Sequence, residues 1–197
     1  FINPVAFDRL SLPADSSLRE VIKVANPLSE EQSVMRTLLL PGLLENISKN
    51  LARKNENLAF FEMGKVFYPS QESLPVEQEK IGAVVCGTSE INWLKNKVEM
   101  DFFYLKGIIE DLLAQLGIEK CEFVQAEKNA YHPGRTALLL CGNKKIGVLG
   151  EVHPEILQNF DIKTRCCACE LDIQVLFELS HGKKMLQQIT RYPSVER

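Results

Sequence analysis

The sequence predicts a mixed α/β (α+β) chain, in which helices and strands alternate, and three stretches carry that reading. Leu40, Leu43, Leu44, Ile47 and Leu51 recur at i, i+3, i+4, i+7 and i+11, one apolar face of a helix, with Pro41 in a first turn that needs no proline N–H. After the polar break Lys54-Asn55-Glu56-Asn57, alternation sets Leu58, Phe60 and Val66 on one side of a strand and Ala59, Phe61, Met63 and Phe67 on the other. Apolar on both faces, that strand is expected inside a sheet covered on both sides. A second stripe, Phe102, Leu105, Ile108, Ile109, Leu112 and Leu116, predicts another long helix, opened by Asp101 as N-cap and stopped by Gly117.

Taken in order, residues 1–24 alternate short apolar groups with turn formers, and Val21, Ile22 and Val24 predict a brief strand. Asn26-Pro27 ends it, because the residue before proline disfavours the helical region, and Ser29 with Gln32 is expected to cap a short turn before the first long helix. Beyond the loop Tyr68-Pro69 to Leu74-Pro75, the run Ile81 to Gly87 reads as an antiparallel neighbour of the first strand. Its glycines suit close packing or a bulge. Cys121 to Ala126 reads as a strand, and Leu138–Cys141 with Ile146–Leu149 as a hairpin turning at Gly142-Asn143. His153-Pro154-Glu155 opens a helix, Cys166 to Asp172 is one more strand, and Val175, Leu176 and Leu179 mark a short helix after it. Ile189 to Tyr192 is again strand-like.

Composition narrows the function classes. The 197 residues, 45% apolar and 25% charged, form an ordinary globular make-up, read as one domain over 1–197. A net charge of −3 with pI near 5.7 argues against this chain alone gripping a phosphate backbone. The basic pairs Arg53-Lys54, Lys144-Lys145 and Lys183-Lys184 read as solvated surface. No apolar run approaches the roughly 20 residues that span a bilayer, and no leader pattern is present, so a cytoplasmic location without a membrane partner is expected. The abrupt start at Phe1-Ile2-Asn3-Pro4 and the stop soon after Tyr192 are those of a segment cut from a longer polypeptide.

Candidate chemistry is sparse. His132 and His153 each precede proline, but no third ligand stands at fixed spacing, so a capping or turn role is expected for both. Glu62 and Glu151 lie among apolar residues; burial would raise their pKa unless a cation pairs with them, and Arg36 and Arg135 are the candidate partners. No Gly-x-Ser-x-Gly elbow accompanies them. The six cysteines are expected to be free and buried; Cys166, Cys167 and Cys169 form a cluster without a second ligand pair, so no zinc is expected there.

One family brings these pieces together. Met35-Arg36-Thr37, the helix, and the strand ending Gly64-Lys65-Val66-Phe67 resemble the segment leading into motif 2 of class II aminoacyl-tRNA synthetases. Asn26-Pro27-Leu28-Ser29, Asp101 to Gly107, Tyr131-His132-Pro133-Gly134-Arg135 and Gly150-Glu151-Val152-His153-Pro154 follow collinearly, and with them the chain resembles part of the phenylalanyl-tRNA synthetase beta-subunit family. The resemblance implies a class II synthetase-like, mainly antiparallel sheet flanked by helices. It also implies a catalytic-like but inactive domain that supports a catalytic alpha subunit in a two-alpha, two-beta assembly. ATP, magnesium and tRNA then belong to the parent complex, and no catalytic, cofactor or metal residue is assigned to this chain.

The expected inactivity rests on substitutions. Where the class II motif 2 arginine would clamp the α-phosphate, this chain has Tyr68-Pro69. Where motif 3 has Gly-x-Gly-x-x-Arg, it has Glu170 and Asp172 for the glycines and Val175 for the arginine, two acids that would repel a triphosphate. Two alternatives stand beside this reading: a degenerate ATP-dependent adenylating enzyme with substitute residues, and a metal or redox module built on Cys166, Cys167 and Cys169.

Overall fold

In a computed structural model, which describes residues 1–72, 74–90 and 97–180, the chain is built on a six-stranded antiparallel sheet with helices on both faces. An amino-terminal segment with helix α1 (Val5–Arg9) leads into α2 (Leu40–Leu51), β1 (Leu58–Tyr68) and β2 (Val76–Cys86). A small ribbon of β3 (Thr88–Glu90) and β4 (Lys97–Glu99) precedes α3 (Phe102–Leu116) and β5 (Cys121–Gln125). The hairpin β6 (Tyr131–Cys141) and β7 (Lys144–Val152), then α4 (Pro154–Asn159), β8 (Cys166–Asp172) and α5 (Ile173–Leu179), complete it. The strand order is β1-β2-β8-β7-β6-β5. The chain thus inserts β8 between two earlier hairpins.

Each sheet face has its own core. On one, Leu39 at the N-cap and Leu43, Leu44 and Ile47 of α2, with Phe7, Leu10 and Phe160, cover Val66, Val84, Cys166 and Ala168. On the other, Leu105, Ile109 and Leu113 of α3 and Leu176 of α5 cover Val85, Leu149, Cys167, Cys169 and Leu171. Strand β8 therefore divides its cysteines by the two-residue period of a strand, Cys166 to one core and Cys167 with Cys169 to the other. The close approach of α2 depends on Gly82, where a Cβ would lie 2.9 Å from Leu43 and 3.1 Å from Leu39.

Several expectations need correction. Strand β1 is the edge of the sheet, not an interior strand, and Phe61 and Met63 are 75% and 62% exposed. Only the face that meets α2 is covered there, because α3 and α5 pack over β2, β7 and β8. The backbone edge itself is met by Arg36, whose carbonyl accepts the Phe67 N–H (2.9 Å) and whose Nε donates to the Lys65 carbonyl (2.8 Å). The predicted strand at 21–24 is reduced to a single bridge between Lys23 and Val34. Ser29 precedes a 3₁₀ turn (Glu30–Gln32) as expected but makes no side-chain cap. The buried row of α3 is Leu105, Ile109 and Leu113, while Ile108 faces solvent, so the helix is rotated by about one position from the predicted stripe. Asp101 and Gly117 cap it as read, the Asp101 carboxylate accepting the Tyr104 N–H (2.9 Å) and Gly117 adopting φ +69°. Ile189 to Tyr192 and Lys183-Lys184 lie outside the described residues.

Candidate functional site

Two of the positions set against synthetase motifs, Tyr68 and Glu170, meet on the α2 face of the sheet, where the end of β1, the middle of β2 and the end of β8 lie side by side. Their register is fixed by Gly64 opposite Lys80, Lys80 opposite Asp172 and Gly82 opposite Glu170. Helix α2 approaches with its N-terminus leading. Its N-cap position is Leu39, a side chain that cannot accept a hydrogen bond, so the first N–H groups need an acceptor from elsewhere. Glu170 supplies it: one carboxylate oxygen accepts from Leu39 N (2.7 Å) and Leu40 N (2.8 Å). The positive end of the helix dipole favours this negative cap. Sequence reading missed it.

A polar chain continues from that cap. Lys80 Nζ lies 3.6 Å from the second Glu170 oxygen and donates to the Tyr68 hydroxyl at 3.1 Å. Tyr68 donates to the Thr37 carbonyl (2.9 Å), and the fully buried Thr37 donates its own hydroxyl to Leu18 O (2.7 Å). Burial pulls the Lys80 ammonium down, but Glu170 and Tyr68 outweigh it and leave its pKa above the ordinary lysine value. The helix end is thus filled by internal partners: an anion already sits on the helix N-terminus, and Lys80 beside it is already paired.

The remaining motif positions are dispersed. Asp172 does not face the cleft; it is the N-cap of α5 and accepts the Val175 N–H at 3.1 Å. Val175 packs in the core shared by α3 and α5, across the sheet from Tyr68. Only Tyr68 and Glu170 of the expected set meet, and they meet through Lys80.

Both predicted carboxylate–guanidinium pairs form. Arg36 Nη1 bonds Glu62 at 2.5 Å, in a space that exists because residue 64 is glycine, where a Cβ would strike the guanidinium. Arg135 Nη1 reaches both oxygens of Glu151 at 2.9 and 2.8 Å. A second cation, Arg165, also reaches Glu151 (2.7 Å), and the sequence reading had not paired it. With a side chain only 4% exposed, Glu151 would be pushed up by burial, but the hydrogen bonds of Arg165 and Arg135 prevail and hold its carboxyl below the usual carboxylate value. The pair floors a groove of about 580 Å³ rimmed by Phe102, Phe103 and Phe123. Its anchoring role is evident in the elements it ties: β6, β7 and the approach to β8.

The histidines act as the turn and cap residues expected of them. His132 Nδ1 accepts the Gly134 N–H (3.1 Å) and His153 Nδ1 accepts the Glu155 N–H (3.3 Å), the latter starting α4. All six cysteines are free, and burial pushes the Cys167 and Cys169 thiols up to about 12. Among the described residues no three His, Cys, Asp or Glu side chains converge as metal ligands, and no helix is long and apolar enough to cross a membrane.

This sheet, its helices and its strand order define a class II aminoacyl-tRNA synthetase-like domain. Pyrrolysyl-tRNA synthetase from Desulfitobacterium hafniense superposes with a TM-score of 0.68 over 98% of this chain and 65% of that one, at 18% identity. A second structure of that organism's pyrrolysyl-tRNA synthetase, PylSc, gives 0.65 over 89% of this chain and 56% of its own, at 17% identity. At such identities the likeness is one of fold. Within the class, residues 1–173 match the phenylalanyl tRNA synthetase beta chain CLM domain, and the chain belongs to that family. It is 40% identical to the phenylalanine–tRNA ligase beta subunit of Moorella thermoacetica over 100% of this chain and 25% of the relative. The Clostridium tetani subunit is 37% identical over 100% of this chain and 24% of its own length. The chain therefore spans about a quarter of these beta subunits.

Proposed function

We propose that this chain is a non-catalytic, synthetase-shaped module of a cytoplasmic phenylalanine–tRNA ligase beta subunit. It supports assembly with the catalytic alpha subunit, in a two-alpha, two-beta complex that charges tRNA with ATP and magnesium. The observation that carries the reading is Glu170 on the N-terminus of α2. A helix N-terminus in a nucleotide cleft attracts phosphate or carboxylate, and here a tethered carboxylate occupies it. Adenylate formation also needs preorganised positive charge on the phosphates, each such donor being worth about 3 kcal/mol or more. Tyr68 and Val175 carry none, and Lys80 is committed to Glu170 and Tyr68. The residues present do not fit a triphosphate or its magnesium, so no reaction step is assigned to this cleft.

The test has two arms. Calorimetry with ATP and magnesium, and pyrophosphate exchange with phenylalanine, are expected to show no saturable binding and no exchange, for the wild type and for Val175→Arg alike. Sedimentation with the alpha subunit is expected to show a complex. Micromolar ATP binding abolished by substituting Arg36 or Arg135 would replace this reading with that of a degenerate adenylating enzyme, and absence of any complex would remove the assembly role.

A further inference from the structure

Two pairs of cysteines stand directly opposite one another across antiparallel strands: Cys86 with Cys166 between β2 and β8, and Cys121 with Cys141 between β5 and β6. The first pair is sealed in the core, both residues at 0% exposure. The second lies at the outer edge of the sheet, both residues half-buried, beside a surface hollow of about 320 Å³ lined by Gly117, Ile118, Glu119 and Cys121.

The register also fixes the local geometry of the outer pair. Antiparallel neighbours alternate between hydrogen-bonded and non-hydrogen-bonded positions. Ala126 N donates to Thr136 O (3.1 Å), which makes that pair hydrogen-bonded, and the register runs without a break from Gln125 opposite Ala137 to Cys121 opposite Cys141. An odd number of steps separates the two, so Cys121 and Cys141 occupy a non-hydrogen-bonded position, where opposed Cα atoms are about 4.5 Å apart and side chains are nearest. A disulfide requires Cα separations of roughly 4.4–6.8 Å. Beside this pairing, the Cys141 thiol donates to the Glu119 carbonyl at 3.5 Å.

We propose that Cys121 and Cys141 form a reversible, oxidant-responsive disulfide that staples the outer strand β5 to β6, while the other four cysteines stay reduced in the folded chain. The oxidant is a low-molecular-weight disulfide. One protein thiolate attacks a sulfur of that molecule and releases one small thiol, giving a mixed disulfide; the second protein thiolate attacks the mixed disulfide and releases the other small thiol. Two thiol protons leave the protein, and two electrons pass to the oxidant. Burial and the Cys141 contact push the Cys121 thiol up to about 11, so its thiolate is scarce near neutrality. Exchange accordingly accelerates as the pH is raised.

The experiment treats the reduced full chain with oxidised glutathione at several pH values, blocks free thiols in the native state and again after denaturation, and maps peptides by mass spectrometry. The expected product has one disulfide, Cys121–Cys141, with Cys86, Cys166, Cys167 and Cys169 blocked only after denaturation, and it forms faster at higher pH. Closing that loop is expected to raise the melting temperature on the order of 5 °C, reversed by a dithiol reductant. Cys121→Ser is expected to hold glutathione on Cys141 without the rise. A glutathione adduct that persists on the wild type, a disulfide at any other pair, no oxidation at all, or an unchanged melting temperature in the oxidised chain would each overturn the proposal; the wild-type peptide map decides even if the variant fails to fold.

Discussion

Replacing Glu170 by alanine removes three interactions at once, and the structure sets their scale. Two are hydrogen bonds from the α2 N-terminus to a carboxylate, at 2.7 and 2.8 Å, each of the charge-assisted kind that contributes about 1.5–3 kcal/mol. The third is the Lys80 pairing, whose loss leaves a lysine with an 18% exposed side chain without its carboxylate. Breaking a buried pair from one side costs about 3–5 kcal/mol, and because the three share one side chain they do not add. Glu170→Ala is therefore expected to destabilise by about 3–5 kcal/mol, read as a fall in melting temperature on the order of 10 °C for a chain of this size. Glu170→Gln keeps an acceptor for the two N–H groups but turns an amide towards Lys80, and its expected cost is smaller, about 1–2 kcal/mol. Lys80→Met in the Glu170→Ala background is expected to recover part of the loss, because the orphaned charge is gone. Circular-dichroism melts and urea titrations of the four proteins read these values directly. A Glu170→Ala chain within about 1 kcal/mol of wild type would mean that water caps α2 equally well, and the account of a sealed cleft would fail with it.

Two further expectations concern packing and pH. Leu44→Ala and Leu105→Ala, each removing a side chain at 0% exposure from a different core, are expected to cost about 2–5 kcal/mol, whereas Ile108→Ala on the exposed side of α3 should stay within about 0.5 kcal/mol; equal losses at Leu105 and Ile108 in urea melts would contradict the observed helix orientation. Glu151 has a folded pKa below its ordinary value of 4.5, so its contribution to stability is present above about pH 4.5 and disappears as pH falls through the lower folded value, where the carboxyl protonates and releases Arg165 and Arg135. Glu151→Gln is expected to lower stability at pH 7 and to flatten the acid limb below about pH 4.5; parallel limbs in wild type and variant would sink the assignment.

What was legible in the sequence is what is local in the chain. The two long helices, the main strands, the Asp101 cap and the turn at Gly142 each rest on patterns within a few residues, and the structure carries them, with the α3 stripe turned by about one position. The paired carboxylates, Glu151 buried and Glu62 half-exposed, were legible too, since a Glu set among apolar residues calls for a cation, and Arg36 and Arg135 answer that demand. Strand order was not legible. Phe61 and Met63 alternate like residues of an interior strand, and nothing within β1 records that its outer edge meets Arg36 and not another strand. The Asp172 cap was available: Asp172 precedes Val175 by the same three residues as Asp101 precedes Tyr104, and only the first of these caps went unread. Glu170 was out of reach, because the N–H groups it meets lie 131 and 130 residues earlier.

That distance bears on what the Glu170 carboxylate does at the helix end. Substituting the two arginines would by itself leave an exposed, electropositive helix end, still attractive to any small anion. A glutamate at position 170 changes the competition, because a tethered carboxylate acts at an effective concentration that dissolved ligands do not reach. An incoming phosphate would have to displace two short hydrogen bonds and separate Glu170 from Lys80 before gaining any contact of its own. The same residue that fills the helix end also stabilises it, since α2 has no side chain of its own to cap its N-terminus. Occupation of the helix N-terminus and gain of fold stability are therefore two consequences of one carboxylate. A variant that reopens the cleft at Glu170 must destabilise α2 in the same step, so restoring arginine at Val175 leaves the helix end filled, and removing Glu170 leaves it uncapped.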